Sequence, residues 1–177
     1  MNKEYIMVMV KMVAMSIIAA VILGALYIPT QAQLKVYKEE QRQLALVDVM
    51  PGADHFEAVT SGEQTLYYQA FDAGNNLIGY CFFHDQPGSQ SVITLAGGID
   101  MDYTVTGVKI MTHAETPGLG ARIIEPAFTD QFAGVTEDKL MLSKNGGAID
   151  AITGATISSQ AVIDGLHAKI NEIKASK

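Results

Sequence analysis

The hydrophobic and polar positions of the chain fall into three regimes. Residues 12–28 carry no charge, and the apolar run reaches back to Ile6 if Lys11 snorkels. A helix over the twenty-three residues 6–28 at a rise of about 1.5 Å per residue spans roughly 34 Å, enough to cross a bilayer. Tyr5 and Tyr27 stand where interfacial aromatics belong, and Pro29 is expected to end the helix. Leu34, Tyr37, Leu44 and Val47 then mark an apolar stripe among Gln, Lys and Glu, predicting a juxtamembrane helix over about residues 31–47 that Val49–Gly52 breaks. The second regime is β-like. Thr65–Phe71 and Leu77–His84 flank Asp72–Asn76, a good hairpin signal, and Ser91–Ala96 and Gly107–Thr112 repeat the pattern, with Gly97-Gly98 and Met101–Tyr103 between them. The third is helical: Ile157, Ala161, Val162, Leu166, Ile170 and Ile173 share one face, with Lys169, Lys174 and Lys177 at the end where cations suit the helix dipole.

These patterns predict an α+β protein in three parts. Residues 1–29 are a single transmembrane anchor, 30–50 a juxtamembrane stalk, and 51–177 one mixed domain with an antiparallel-rich sheet and a C-terminal helix. A cleaved signal peptide is the competing reading of the first part. Thr30-Gln31-Ala32 makes a poor cleavage site for it, so a permanent span is expected.

Charge narrows the partners. The formal net charge is −7, and between Asp48 and Asp138 thirteen acidic residues face two basic ones, Lys109 and Arg122. Such a body argues against nucleic acid as a partner, and it repels anionic lipid, so contact with membrane lipid falls to the apolar N-terminus. Lys3, Lys11 and the terminal amine favour an N-terminus inside the cytoplasm, although Lys35, Lys38 and Arg42 lie close on the other side. The expected arrangement is a single-pass protein of the cell membrane with its domain on the extracytoplasmic side. The lone Cys81 forms no internal disulfide and leaves the compartment open.

Two short stretches carry candidate chemistry. Asp150 to Thr156 puts two hydroxyls, two small residues and a carboxylate at a helix start, where unpaired N–H groups and the dipole favour an anion. A plain polar cap is the bland alternative. His113 to Gly120 follows a strand directly, and Pro117, Gly118 and Gly120 force a tight loop suited to wrapping a ligand; an ordinary β-turn is the alternative. A Thr or His nucleophile using His113 and Glu115 fits the spacing worse than a turn does. There is no nicotinamide-binding glycine fingerprint, no Cys cluster for an iron–sulfur centre, and no metal site is expected.

Together, Glu115-Thr116-Pro117-Gly118-Leu119-Gly120 and Asp150-x-x-Thr153-Gly154-Ala155-Thr156 resemble the covalent FMN-binding domain family. Within it the chain is most similar to the G subunits of Rnf ion-translocating electron-transport complexes, relatives of the C subunit in the sodium-pumping NADH:quinone reductase. The likeness includes the N-terminal span, the Val49–Pro51 break and Gly97–Asp100, read as a turn. It implies FMN joined through its phosphate to the Thr156 hydroxyl by a separate flavin transferase, with Asp150 serving recognition during that maturation. Thr153 stands where family members often have Ser. The resemblance also implies Thr153, Gly154 and Ala155 as cofactor-binding residues, and places Glu115, Thr116, Gly118 and Leu119, with His113 beside them, against the isoalloxazine.

The function so implied is that of an electron carrier. The chain would relay electrons among the other membrane and peripheral subunits of an Rnf-type oxidoreductase that moves Na⁺ or H⁺ and is linked to ferredoxin. Its acidic surface, with Asp100, Asp102, Glu115 and Glu125, is expected to lower the flavin's potential. A stand-alone membrane-anchored flavin reductase and a flavin-free anchored binding module are the alternatives. Activity of the isolated chain would mark the first, and absence of flavin the second.

Overall fold

The computed structural model describes residues 3–62 and 64–176. The chain divides into two compact units, one running to Arg42 and the other Gln43–Lys177. Helix α1, Lys3–Val49, begins in the first and ends in the second. Among the described residues, its stretch Lys3–Ala25 is the one helix long and apolar enough to cross a membrane, and none of it is buried.

The helix does not stop at Pro29: it continues unbroken to Val49, so the residues expected to form a separate juxtamembrane helix continue the N-terminal apolar helix. Proline removes one N–H and crowds the preceding turn, a cost of about 3 kcal/mol that ends a helix only where the flanks are weak. Here an apolar run precedes it, and the residues from Gln31 to Val49 are rich in the strong helix formers Gln, Lys, Glu, Leu and Ala. The break after Val49 falls where expected, with a bend at Met50 and a turn at Pro51-Gly52.

In the second unit five strands form one antiparallel meander in chain order: β1 (His55–Ser61), β2 (Gln64–Phe71), β3 (Leu77–Pro87), β4 (Val92–Asp100) and β5 (Val105–Thr112). The β2–β3 hairpin is held locally, because the Asp72 carboxylate accepts the N–H groups of Gly74 at 2.9 Å and Asn76 at 2.8 Å. Edge strand β1 gave no clear signal in the sequence, since its His-Phe-Glu-Ala-Val-Thr-Ser run is largely exposed. After β5 come short 3-10 turns and a one-turn helix α2 (Pro126–Thr129), which feed Ile123, Phe128, Phe132, Leu140 and Ile149 into the core. The chain ends in helix α3, Thr156–Ala175.

The strand period of two assigns the two faces of the sheet. Tyr80 and Phe82 of β3 and Ile93, Leu95 and Ile99 of β4 face α3, where Val162, Ile163, Leu166, Ile170 and Ile173 complete the main core. Cys81 and Ala96 face the other way, against Leu46, Val49 and Met50 at the end of α1. Gly97 and Gly98 are therefore strand residues rather than a turn. A Cβ at Gly98 would lie 2.3 Å from the Val49 carbonyl oxygen, and one at Gly97 would lie 2.7 Å from the Phe82 ring. The turn comes later, at Asp100–Thr104, where Asp100 accepts the N–H groups of Asp102 and Thr104, each at 2.9 Å.

Two helix assignments change as well. Ile157, expected in the core, is 65% exposed, while Ile163 takes a core place. Lys169 is not a solvated helix-end cation but is buried, donating to the Leu66 carbonyl at 3.2 Å and pairing with Glu172 at 2.8 Å. Lys174 pairs with Glu137 and lies over the Tyr103 ring, and Lys177 is outside the described residues.

Candidate functional site

Three segments meet at one end of the sheet. Thr94 of β4 pairs with Thr112 of β5, so the β3–β4 turn and the loop leaving β5 emerge side by side. The start of α3 reaches the same end, and between them lies a cavity of about 320 Å³ lined by Ser89, Glu115, Thr116, Leu119, Gly120, Gly154, Ala155, Thr156, Ile157 and Ser158. Both motifs thus share one concave site of ligand-pocket size.

On the α3 side, Gly154 takes a φ of +78°, a conformation open to glycine, and Ala155 is the N-cap. Ala155 offers no side-chain cap bond, and Thr156 is the first helical residue. The plain-cap reading of Thr156 therefore fails: among the described residues its hydroxyl has no hydrogen-bond partner. The N–H groups of Thr156, Ile157 and Ser158 also make no backbone hydrogen bond outside the helix, and first-turn donors have none within it. Leu119 packs over Gly154, where a Cβ would come within 3.0 Å of its side chain.

On the β5 side, the loop is as tight as its proline and glycines predict. The Thr116 carbonyl accepts the N–H groups of Leu119 at 3.2 Å and Ala121 at 3.0 Å, and Gly118 has a φ of +74°. Glu115 is only 4% exposed. Its Oε1 accepts the backbone N–H groups of Gln90 and Ser91, each at 3.0 Å, and the Ser91 hydroxyl at 3.3 Å; its Oε2 accepts the Ser89 N–H at 3.3 Å and the Ser158 hydroxyl at 2.5 Å. Two glycines clear the space: a Cβ at Gly88 would fall 2.6 Å from Oε1 and one at Gly120 would fall 2.9 Å from Oε2. Burial, the largest influence, pushes the carboxyl pKa up. The Ser158 hydroxyl and the three N–H groups together outweigh it, and the net pKa is lowered.

That direction fixes a pH dependence. A lowered folded pKa contributes stability that is complete above the unfolded value, about 4, and is lost as the pH falls through the folded value. Glu115→Gln is expected to flatten the acid limb of the melting temperature against pH without steepening the alkaline limb. An unchanged acid limb would show that the fold does not lower the carboxyl pKa.

The remaining predicted residues sit around this cavity rather than in it. Asp150 and Thr153 line an adjoining cleft of about 210 Å³ with Arg122 and Glu125. The Asp150 N–H donates to the Gln131 side-chain oxygen, 2.8 Å away, and Arg122 is paired with Glu125 at 3.1 Å, which raises the guanidinium pKa. His113 lies beside the site, its Nδ1 accepting the Glu115 N–H at 3.2 Å. Sequence reasoning missed Ser89, Ser158 and Lys144. Lys144 lines a further cleft, of about 280 Å³, with Thr156 and Ile157. None of the three had a motif signal, because each joins the site only through the turns of the fold.

The FMN-binding domain family model matches residues 88–171, which contain every cavity residue. Over 184 residues the chain is 44% identical to the G subunit of the ion-translocating oxidoreductase complex of Methanosarcina acetivorans, covering 99% of this chain and 98% of that one. The chain belongs to this G-subunit family. A second member, the G subunit of the proton-translocating ferredoxin:NAD(+) oxidoreductase complex of Clostridium ljungdahlii, is 33% identical over 162 residues, 88% of this chain and 84% of that one. A solved structure, that of Shewanella oneidensis NqrC, is similar with a TM-score of 0.48 and 20% identity over 72% of this chain and 74% of that one. In this member of the family the matched region begins at Gly88, in the turn that Glu115 holds.

Proposed function

We propose that this chain is the membrane-anchored FMN carrier of an ion-translocating, ferredoxin-linked oxidoreductase complex, with the flavin phosphate esterified to the Thr156 hydroxyl. The observation that carries the reading is the unbonded Thr156 hydroxyl, at the first position of α3, in the cavity that both motifs line. Three free N–H groups and the positive end of the helix dipole suit a phosphoester that keeps a negative charge. Gly154 and Ala155 admit its bulk, and Leu119 and Ile157, 45% and 65% exposed, offer apolar surface to a ring. The residues present therefore fit FMN.

A bound flavin supplies one- and two-electron redox chemistry. The chain's own part is to hold the cofactor by its phosphate, leave the ring free, and keep the site at the end of a rigid sheet. It acts as a relay between sister subunits and is matured by a separate flavin transferase that uses Asp150 and Thr153. The Lys3–Ala25 stretch anchors it in lipid, with the N-terminus cytoplasmic and the flavin domain outside. There a tether prevents loss of the cofactor by dilution, holding it at an effective concentration on the order of mM.

The test uses the full chain made with its flavin transferase and exported. Denaturing electrophoresis under ultraviolet light is expected to show a fluorescent band, and intact mass a rise of one FMN less one water. A colourless band with the mass of the bare polypeptide would overturn the proposal.

A further inference from the structure

Of the acidic residues expected to depress the flavin's potential, the fold treats each differently. Asp100 and Asp102 belong to the β4–β5 turn, and Glu125 is neutralised by Arg122. Glu115 alone of these four lines the cavity. Its five hydrogen-bond donors are uncharged, two hydroxyls and three backbone N–H groups. They stabilise the anion without cancelling its charge, and among the described residues no ion pair includes Glu115. Gly88 and Gly120 leave room for no more than the two oxygens. Both oxygens are thus engaged by the protein's own donors in the wall of the cavity.

We infer that Glu115 is a positioning residue with an electrostatic task. Through Ser158 it fixes the first turn of α3, and its charge is the fixed negative pole against which the cofactor is reduced. Inside a partly desolvated wall such a charge acts with little screening. Reduction by two electrons from dithionite, itself oxidised to sulfite, with uptake of one proton from water would leave one more negative charge in the site. Glu115 opposes that charge and holds the potential down. The Ser158 hydroxyl, pointing its proton at Oε2, softens the effect.

This inference rests on the FMN reading above, and the experiment separates the two. The full, natively matured chain is titrated spectroelectrochemically with dithionite at pH 8 as wild type, Glu115→Gln and Ser158→Ala, after intact mass has confirmed attached flavin in each. Wild type without flavin sinks the functional reading itself. With flavin present, Glu115→Gln is expected to raise the midpoint by at least tenfold in the oxidised-to-reduced ratio, about 30 mV for a two-electron couple. Ser158→Ala, which keeps the charge and removes a donor, is expected to lie below the wild type. A loosened wall alone would move both variants the same way. A Glu115→Gln midpoint that does not rise, or a rise in both variants, overturns the inference. If Glu115→Gln does not fold, Ser158→Ala decides by itself: a midpoint at or above wild type refutes the fixed-charge role, and one below it upholds that role.

Discussion

Thr156→Ala, matured as the full chain beside its flavin transferase, is expected to fold normally and to carry no flavin. The neighbouring hydroxyls are either already bonded or lie away from the helix start. Ser158 is committed to Glu115 at 2.5 Å, and Ser159 is buried, donating to the Ala155 carbonyl and accepting the Ile152 N–H, each at 3.0 Å. Thr153 opens into the adjoining cleft. Thr116 shares the cavity but stands on the opposite loop, away from the free helix donors. Thr156 has no hydrogen bond to lose, and alanine favours the helix by about 0.5 kcal/mol, so the fold tolerates the change. Intact mass should therefore fall to that of the bare variant, with the melting temperature of the flavin-free chain preserved, while Thr116→Ala keeps the full increment. Retention of the increment in Thr156→Ala would move the attachment to another residue.

Legibility in the sequence followed the range of the interactions. The β2–β3 hairpin was readable because one carboxylate, Asp72, organises it within four residues. The two motifs were readable because each is a closed local loop, and the fold brings Glu115, Thr116, Leu119, Gly154, Ala155 and Thr156 into one cavity. The task of Glu115 was not readable. It depends on donors 24 to 26 residues upstream and a serine 43 residues downstream, and no spacing rule connects them. Ile157 lies on the apolar stripe by periodicity, yet periodicity cannot tell that this end of α3 overhangs the sheet. The Gly97-Gly98 pair carried the ordinary signal for a turn, whereas its cause is the close approach of two different elements on the two faces of β4. At Pro29 a local penalty was overruled by the helical preference of both flanks.

Gly98→Ala is expected to destabilise the second unit strongly. Its Cβ would sit 2.3 Å from the Val49 carbonyl oxygen and 2.5 Å from Thr106 Oγ1. Neither neighbour can give. The first is backbone, and the second is held against it by a 2.5 Å bond from the Thr106 hydroxyl to that same carbonyl. Either β4 shifts, disturbing Leu95 and Ile99 in the main core, or the end of α1 lifts from Ala70, Cys81 and Ala96. Overpacking of this kind costs about 3 kcal/mol, which lowers the melting temperature of a domain this size by roughly 10 °C. Gly134→Ala is the control: its φ is +78° but nothing lies within 4 Å, so only backbone strain of about 1 kcal/mol is expected. Cys81 reports which way the sheet yields. It is the single cysteine, fully buried beneath α1, with burial pushing its thiol pKa up to about 12. In the wild type it should resist alkylation at neutral pH, and lifting of α1 in Gly98→Ala should expose it to the reagent well below the melting temperature. A destabilised variant whose Cys81 stays protected would mean that β4 moved instead. A variant melting within about 2 °C of wild type would mean that the contact between Val49 and the sheet does not hold this face together.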